Sequence, residues 1–284
     1  VKHLLSGLLL LGSINLLHAQ ELSAPVAINK QSNPEYFTVA ATSSVAPAAR
    51  RLTLQQRRMY YRLGERLVTI NKQVTDESMP YVFISLHNNE SGIADAARQS
   101  IYTQGGTLLE LLNDNQRNIE FTLFDKEVSV DPNNIFTPKG RNQDLAVSRK
   151  TDMVIAHQLN GFAQFLVDEL PYEKTVVSVH SNEAGDFTIN DYSKNGERER
   201  DAWMMYRNPS IDENDFFVTT DKEIFQALKT RNMNVVLQSV RSKDDGSLGV
   251  YCSRTHRAYL GIETRKGHSE EQLRMVQMVR EILR

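Results

Sequence analysis

Tyr81-Val82-Phe83-Ile84-Ser85-Leu86-His87-Asn88-Asn89-Glu90 is the stretch on which the fold turns. Its first six residues are almost all apolar, which suits a strand covered on both faces. The run stops at an imidazole and, three residues on, a carboxylate. Four more short apolar runs share its character: 119–124, 175–179, 235–237 and 258–262. The run at 175–179 leads into His180, and the one at 258–262 into Glu263. Helical periodicity lies between them, over 152–169 (Met153, Ile155, Ala156, Leu159, Phe162, Phe165, Leu166) and over 222–230. A further helix begins near Ser269, where Ser269-Glu270-Glu271-Gln272 has the form of a capping box. Leu273, Val276, Met278, Val279 and Leu283 follow as its apolar stripe. Strands alternating with helices imply an α/β fold: a mixed, largely parallel sheet flanked by helices on both faces.

Outward from this core the chain changes character. Leu54, Met59, Leu63, Leu67 and Ile70 recur at spacings of three to five, which predicts a helix from about Leu52. Residues 20–50 are rich in Ser, Ala, Pro, Thr and Asn with little periodicity, and read as a spacer. At 1–19, Lys2 and His3 precede Leu4-Leu5-Ser6-Gly7-Leu8-Leu9-Leu10-Leu11, and Ala19 offers a small residue for cleavage. That is the pattern of a signal peptide, so the expected address is exported, periplasmic or extracellular. Gly7, Gly12, Ser13 and Asn15 interrupt the run, so no stable membrane span is expected after signal removal. The folded domain then occupies 51–284. Within it, 181–219 is polar and long for a connection, which makes it a candidate substrate-facing insertion.

Composition narrows the function classes. Lys and Arg number 33 against 35 Asp and Glu, a formal charge of −2 with no basic block, so nucleic acid is not an expected partner. Cys252 is the only cysteine, which excludes an intramolecular disulfide and a thiolate-built zinc site.

His87-x-x-Glu90 places an imidazole and a carboxylate within one tight turn, where both can face one ion, and His180 supplies a third ligand from another strand end. In open α/β sheets ligands bind beyond the carboxyl ends of strands. Two histidines and a glutamate with an open fourth position form the catalytic zinc pattern, one ion per chain. Glu263, ending a buried strand, is placed to act as the base, since burial raises a carboxylate toward the working pH range. His157 on the 152–169 helix and His268 read as structural. Trp203, Met204, Met205, Tyr206 and Tyr192 read as local packing. Glu197-Arg198-Glu199-Arg200-Asp201 alternates in sign and reads as a solvated face, and Asp244-Asp245-Gly246 as a turn.

The order of these motifs resembles that of the zinc carboxypeptidases and the related succinylglutamate desuccinylase and aspartoacylase deacylases. The likeness is carried by His87-Asn88-Asn89-Glu90, Asp131-Pro132-Asn133-Asn134-Ile135-Phe136, His180-Ser181, Gly246-Ser247-Leu248 and Ile262-Glu263-Thr264-Arg265, across about 81–268. The resemblance implies zinc on His87, Glu90 and His180, water promotion by Glu263, and a mixed sheet flanked by helices. It also implies substrate contacts from Asn133 and its neighbour. The family has an arginine where this chain has Asn134, and Arg141 a little downstream is the expected replacement for that charge. Arg117 is the positional candidate for the arginine that stabilises the oxyanion, and Ser247-Leu248-Gly249 the candidate pocket wall. The expected activity is zinc-dependent hydrolysis of a peptide or small amide, cell-wall peptide stems included. A deacylase of N-acyl amino acids and a non-catalytic binding protein on the same scaffold are the alternatives.

Overall fold

The computed structural model describes residues 36–45, 52–147 and 152–283. In chain order the first elements are β1 (Tyr36–Val45), β2 (Leu52–Leu63), β3 (Arg66–Val74), β4 (Tyr81–Ser85), α1 (Ser91–Gln104) and β5 (Thr107–Leu112). A hairpin of β6 (Ile119–Leu123) and β7 (Lys126–Val130) follows, then α2 (Pro138–Val147), α3 (Met153–Asp168) and β8 (Thr175–Asn182). The remainder is β9 (Ala202–Tyr206), β10 (Phe216–Thr219), α4 (Lys222–Thr230), β11 (Val235–Gln238), α5 (Leu248–Arg254), β12 (Tyr259–Arg265) and α6 (Ser269–Ile282).

Ten strands form one sheet in the order β1-β2-β3-β5-β4-β8-β12-β10-β11-β9, and β6 pairs only with β7. The fold is α/β with a mixed sheet. Its centre, β5-β4-β8-β12, is parallel, as is the β10-β11 pair. The other ladders, including both flanks, are antiparallel. The central strands are apolar on both faces because each face is covered. Val82, Ile84 and Val176 pack with α3 residues Ile155, Leu159 and Phe162 on one side. Phe83, Val177, Val179 and Ile262 pack with α1, α4 and α6 on the other, against Ile93, Phe225 and Val276. Among the described residues no helix is long and apolar enough to cross a membrane.

Three expectations are corrected. The helix expected from Leu52 is a pair of strands, β2 and β3, joined at Gly64-Glu65. Met59, Tyr61 and Leu63 are all buried, then Val68 and Ile70, and that alternation is the strand period of two. Reading Leu54, Met59, Leu63, Leu67 and Ile70 alone passes over Tyr61 and Val68, and Leu67 is exposed. Part of the expected spacer is β1, which pairs antiparallel with β2 from Tyr36↔Tyr61 to Val45↔Leu52. Backbone pairing needs no apolar side chain, so a Ser/Thr/Ala-rich strand leaves little pattern to read. The third concerns α6: His268 is its N-cap, with no side-chain cap bond, and Gln272 Nε2 instead donates to Thr264 Oγ1 and Arg265 O. The signal-like residues 1–19 and the rest of the 20–50 span lie outside the described residues.

Candidate metal centre and cleft

The chain leaves β4 at Ser85 and turns at once. Glu90 N donates to His87 O at 3.1 Å, closing a tight turn, and Glu90 is the N-cap of α1. Asn88 holds that turn from the side: its Oδ1 accepts from the backbone N–H of Asn113 (2.9 Å) and Asn115 (2.8 Å), just past β5. His87 and Glu90 are thus fixed from both sides, and both are buried. His180 reaches them from β8, whose parallel register beside β12 sets it opposite Glu263.

The polar atoms converge. His87 Nδ1 lies 2.9 Å from Glu90 Oε1 and 3.3 Å from His180 Nδ1, and His180 Nδ1 lies 3.4 Å from Glu90 Oε2. Ligand atoms at about 2.0–2.1 Å from one zinc ion lie about 3.3–3.4 Å apart. The 2.9 Å from His87 Nδ1 to Glu90 Oε1 is shorter than this, and the two separations to His180 Nδ1 match it. The donor chemistry points the same way. His87 Nε2 is bound to Asp131 Oδ1 at 2.8 Å, so its N–H belongs on Nε2 and its lone pair on Nδ1. A lone pair facing a carboxylate and a second imidazole needs a positive charge between them. Without a metal ion, a proton supplies it: burial opposes charging His87, but Asp131 and Glu90 outweigh burial and push its pKa up to about 9. Burial likewise works to raise Glu90, yet the bonds to His180 and His87 hold it well below the usual carboxylate range. His87, Glu90 and His180 are therefore residues that could hold a metal.

An outer ring orients the three. Asp131 accepts from His87, from Asn133 N (2.8 Å) and from Arg117 Nε (3.2 Å). Burial favours a higher pKa for Asp131, but His87 and Arg117 bring it below the ordinary value. Arg117 Nη1 donates to Glu90 Oε1 at 2.7 Å, and Ser181 N donates to Glu90 Oε2 at 3.0 Å. Carboxylate–histidine–metal relays of this kind fix tautomer and orientation. His180 Nε2 is buried with no such partner among the described residues. Glu263 faces the same space, raised first by burial and then by the charge of Glu90, with His180 and Asn182 acting against the rise.

The space is a cleft of ≈ 340 Å³ lined by His87, Glu90, Arg117, Asp131, Asn133, Asn134, His180, Asn182, Asp186, Phe187, Asp191, Glu197, Arg198, Asp245, Ser247 and Glu263. The structure thus brings the three ligand candidates, Glu263, Asn133 and Asn134 together. Asn133 Oδ1 accepts from Leu248 N at 3.1 Å, tying the 131–136 loop to the start of α5. Arg141 is a correction. It does not line the cleft; it is buried, and its Nη1 donates to Ile135 O at 2.6 Å. From α2 its guanidinium is bound to the backbone of the 131–136 loop.

The run around Arg198 is corrected in part: Glu197, Glu199 and Arg200 are exposed as a solvated face would be, but Arg198 and Asp201 are not. Arg198 sits over the Phe187 ring at 5.1 Å and pairs with Asp245 at 3.2 Å, inside the cleft. The first half of the 181–219 insertion accordingly forms the cleft wall, while Trp203 on β9 is exposed and is not part of it. Sequence reading also gave no role to Asp131 or Asn182. Asn182 had a legible signal, since two residues beyond His180 a strand returns to the same face.

Two loops meet at the cleft with little room. Gly246 has φ +86°, and a Cβ there would lie 2.0 Å from Asn134 O. Phe136 N donates to Gly246 O at 2.9 Å, and Thr137 Oγ1 to Asp244 Oδ1 at 2.6 Å. Gly246→Ala is predicted to destabilise the fold by about 1–3 kcal/mol from the backbone conformation alone, with the clash added. Urea denaturation checks this, and a midpoint equal to that of the wild type would refute it.

A second set of close ligand-type atoms, Asp212, Asp215 and His268, has its charge met internally. Arg265 Nη1 donates to Asp212 Oδ2 (3.1 Å), Arg265 N to Asp215 Oδ1 (2.7 Å), and His268 Nδ1 lies 3.0 Å from Asp215 Oδ2. We read it as a structural ion-pair cluster.

No family model and no curated protein matches the chain by sequence. Among solved structures it is similar to the ectoine utilization protein EutE (DoeB) from Ruegeria pomeroyi, at 13% identity and a TM-score of 0.44, over 85% of this chain and 70% of that one. A succinylglutamate desuccinylase from Silicibacter sp. TM1040 matches at 10% identity and a TM-score of 0.44, over 89% of this chain and 71% of the other. An aspartoacylase family protein from Mesorhizobium loti matches at 11% and 0.39, over 91% and 71%. The latter two carry the names of the group whose motif order this chain resembles.

Proposed function

We propose that the chain is a zinc-dependent hydrolase of an amide bond in a small substrate. The observation that carries this reading is the convergence of His87 Nδ1, Glu90 and His180 Nδ1 within 3.4 Å of one another, with Glu263 on the same cleft. When bound there, zinc supplies Lewis-acid polarisation of a carbonyl and acidifies water toward neutral pH. Glu263 takes the proton of the attacking water and passes it to the leaving nitrogen. Arg117 has Nη1 on Glu90 and Nε on Asp131, and its Nη2 is engaged by neither. That group is the donor for charge developing on the carbonyl oxygen. Asn133 and Asn134 border the substrate side.

A cleft of ≈ 340 Å³ lies at the small end of the range of about 300–1,000 Å³ for small-molecule sites, which favours a short peptide or an N-acyl amino acid over a long chain. Arg141 being turned away, no clamp from α2 awaits a terminal carboxylate, which weighs against ordinary carboxypeptidase specificity. The test is a screen of short peptides, cell-wall peptide fragments and N-acyl amino acids. The expected result is turnover of one series, abolished by a chelator and restored by zinc. Zinc-loaded protein that cleaves none of the three would contradict the proposal and favour a binding scaffold.

A further inference from the structure

Glu263 does not stand alone at the end of β12. The parallel ladder sets His180 opposite Glu263 and Asn182 opposite Arg265. Asn182 is anchored in that ladder, because Lys266 N donates to its carbonyl at 2.8 Å. Its side chain turns into the cleft, where Nδ2 donates to Glu263 Oε2 at 2.8 Å. No other donor among the described residues binds the Glu263 carboxylate.

A lone carboxylate here would be poorly held. The terminal torsion of a glutamate is broad, so nothing intrinsic selects which oxygen faces a reacting water. Burial and the negative charge of Glu90 both oppose its ionised form. A single amide donor on Oε2 answers both difficulties, since it fixes the carboxylate plane and leaves Oε1 as the free oxygen. The donor comes from the strand that carries His180, two residues on and on the same face, so base and ligand share one rigid frame. The geometry points to Asn182 as the positioning residue of the base: it binds Glu263 Oε2 and presents Oε1 to the water. This assignment rests on the hydrolase reading above.

The test uses the full chain and two variants. Asn182→Asp keeps the shape but loses the N–H donor, and Asn182→Ala removes the side chain. Losing a hydrogen bond to a charged group predicts a fall in kcat of about 10- to 100-fold in each. KM and zinc content should stay at wild-type values. In a Glu263→Gln background, Asn182→Ala should cost nothing more, because its effect passes through Glu263; a merely structural role would cost the same in both backgrounds. A readout free of turnover is the side-chain amide resonance of Asn182 in metal-free protein, which should shift in Glu263→Gln. Wild-type kcat in both Asn182 variants, a multiplicative double variant, or an unmoved resonance would overturn the assignment while leaving the hydrolase reading intact. A wild type that cleaves no amide overturns the hydrolase reading, and the positioning role falls with it.

Discussion

Glu263→Gln lowers kcat by about 10²- to 10⁴-fold, the range that general acid–base groups contribute, and leaves zinc binding and the fold in place. Glutamine matches the shape of the carboxylate and still offers an oxygen to Asn182 Nδ2, so the local hydrogen bond survives. What disappears is the proton acceptor. Stability is expected to hold or rise, because burial and the neighbouring charge of Glu90 both work against the ionised Glu263. A residue whose loss ends turnover without weakening the fold is kept for chemistry. Steady-state kinetics and a thermal melt on the same preparation check both halves. Near wild-type kcat would remove Glu263 from the mechanism, and a large fall in the melting temperature would make it structural.

Glu90→Gln has the opposite signature. Glu90 is buried and receives Arg117 Nη1 at 2.7 Å and Ser181 N at 3.0 Å, with His87 Nδ1 at 2.9 Å and His180 Nδ1 at 3.4 Å. An amide cannot accept on both ends, so its NH₂ must face either Arg117 Nη1 or Ser181 N, and that donor loses its acceptor. Zinc affinity should fall by more than the about 10–100-fold that follows loss of an outer-shell partner. The metal-free protein should also lose about 1–3 kcal/mol, the cost of leaving a buried polar group unpaired. Zinc titration by calorimetry and urea denaturation without metal measure the two effects. Wild-type zinc affinity in this variant would exclude Glu90 as a ligand.

The two substitutions differ because the site is layered, and only one layer was fully visible in the sequence. The apolar runs of β4, β8 and β12 lead into His87, His180 and Glu263, so the residues facing the ion or the water could be read from strand ends. Among the residues that hold them, only Arg117, by motif order, and Asn182, by strand period, left a signal. Asp131 reaches His87 across 44 positions and Arg198 meets Asp245 across 47, pairings that depend on folded loops and leave no local period. Arg141 shows the converse: a charge near the right motif in sequence is turned onto Ile135 O by the geometry of α2. The flank of the sheet was misread for a different reason. In β2 and β3 the buried positions can be matched to helical spacing if Tyr61 and Val68 are passed over, and β1 is held through its backbone pairing with β2.

The central claim is that His87, Glu90 and His180 hold one zinc ion. Elemental analysis of the wild type and of His180→Ala, both dialysed against zinc and then against buffer, tests it most directly. About one zinc per wild-type chain and close to none in the variant, with matching circular dichroism, is the predicted result. A wild type that retains no zinc, or a variant that retains as much as the wild type, would contradict the account.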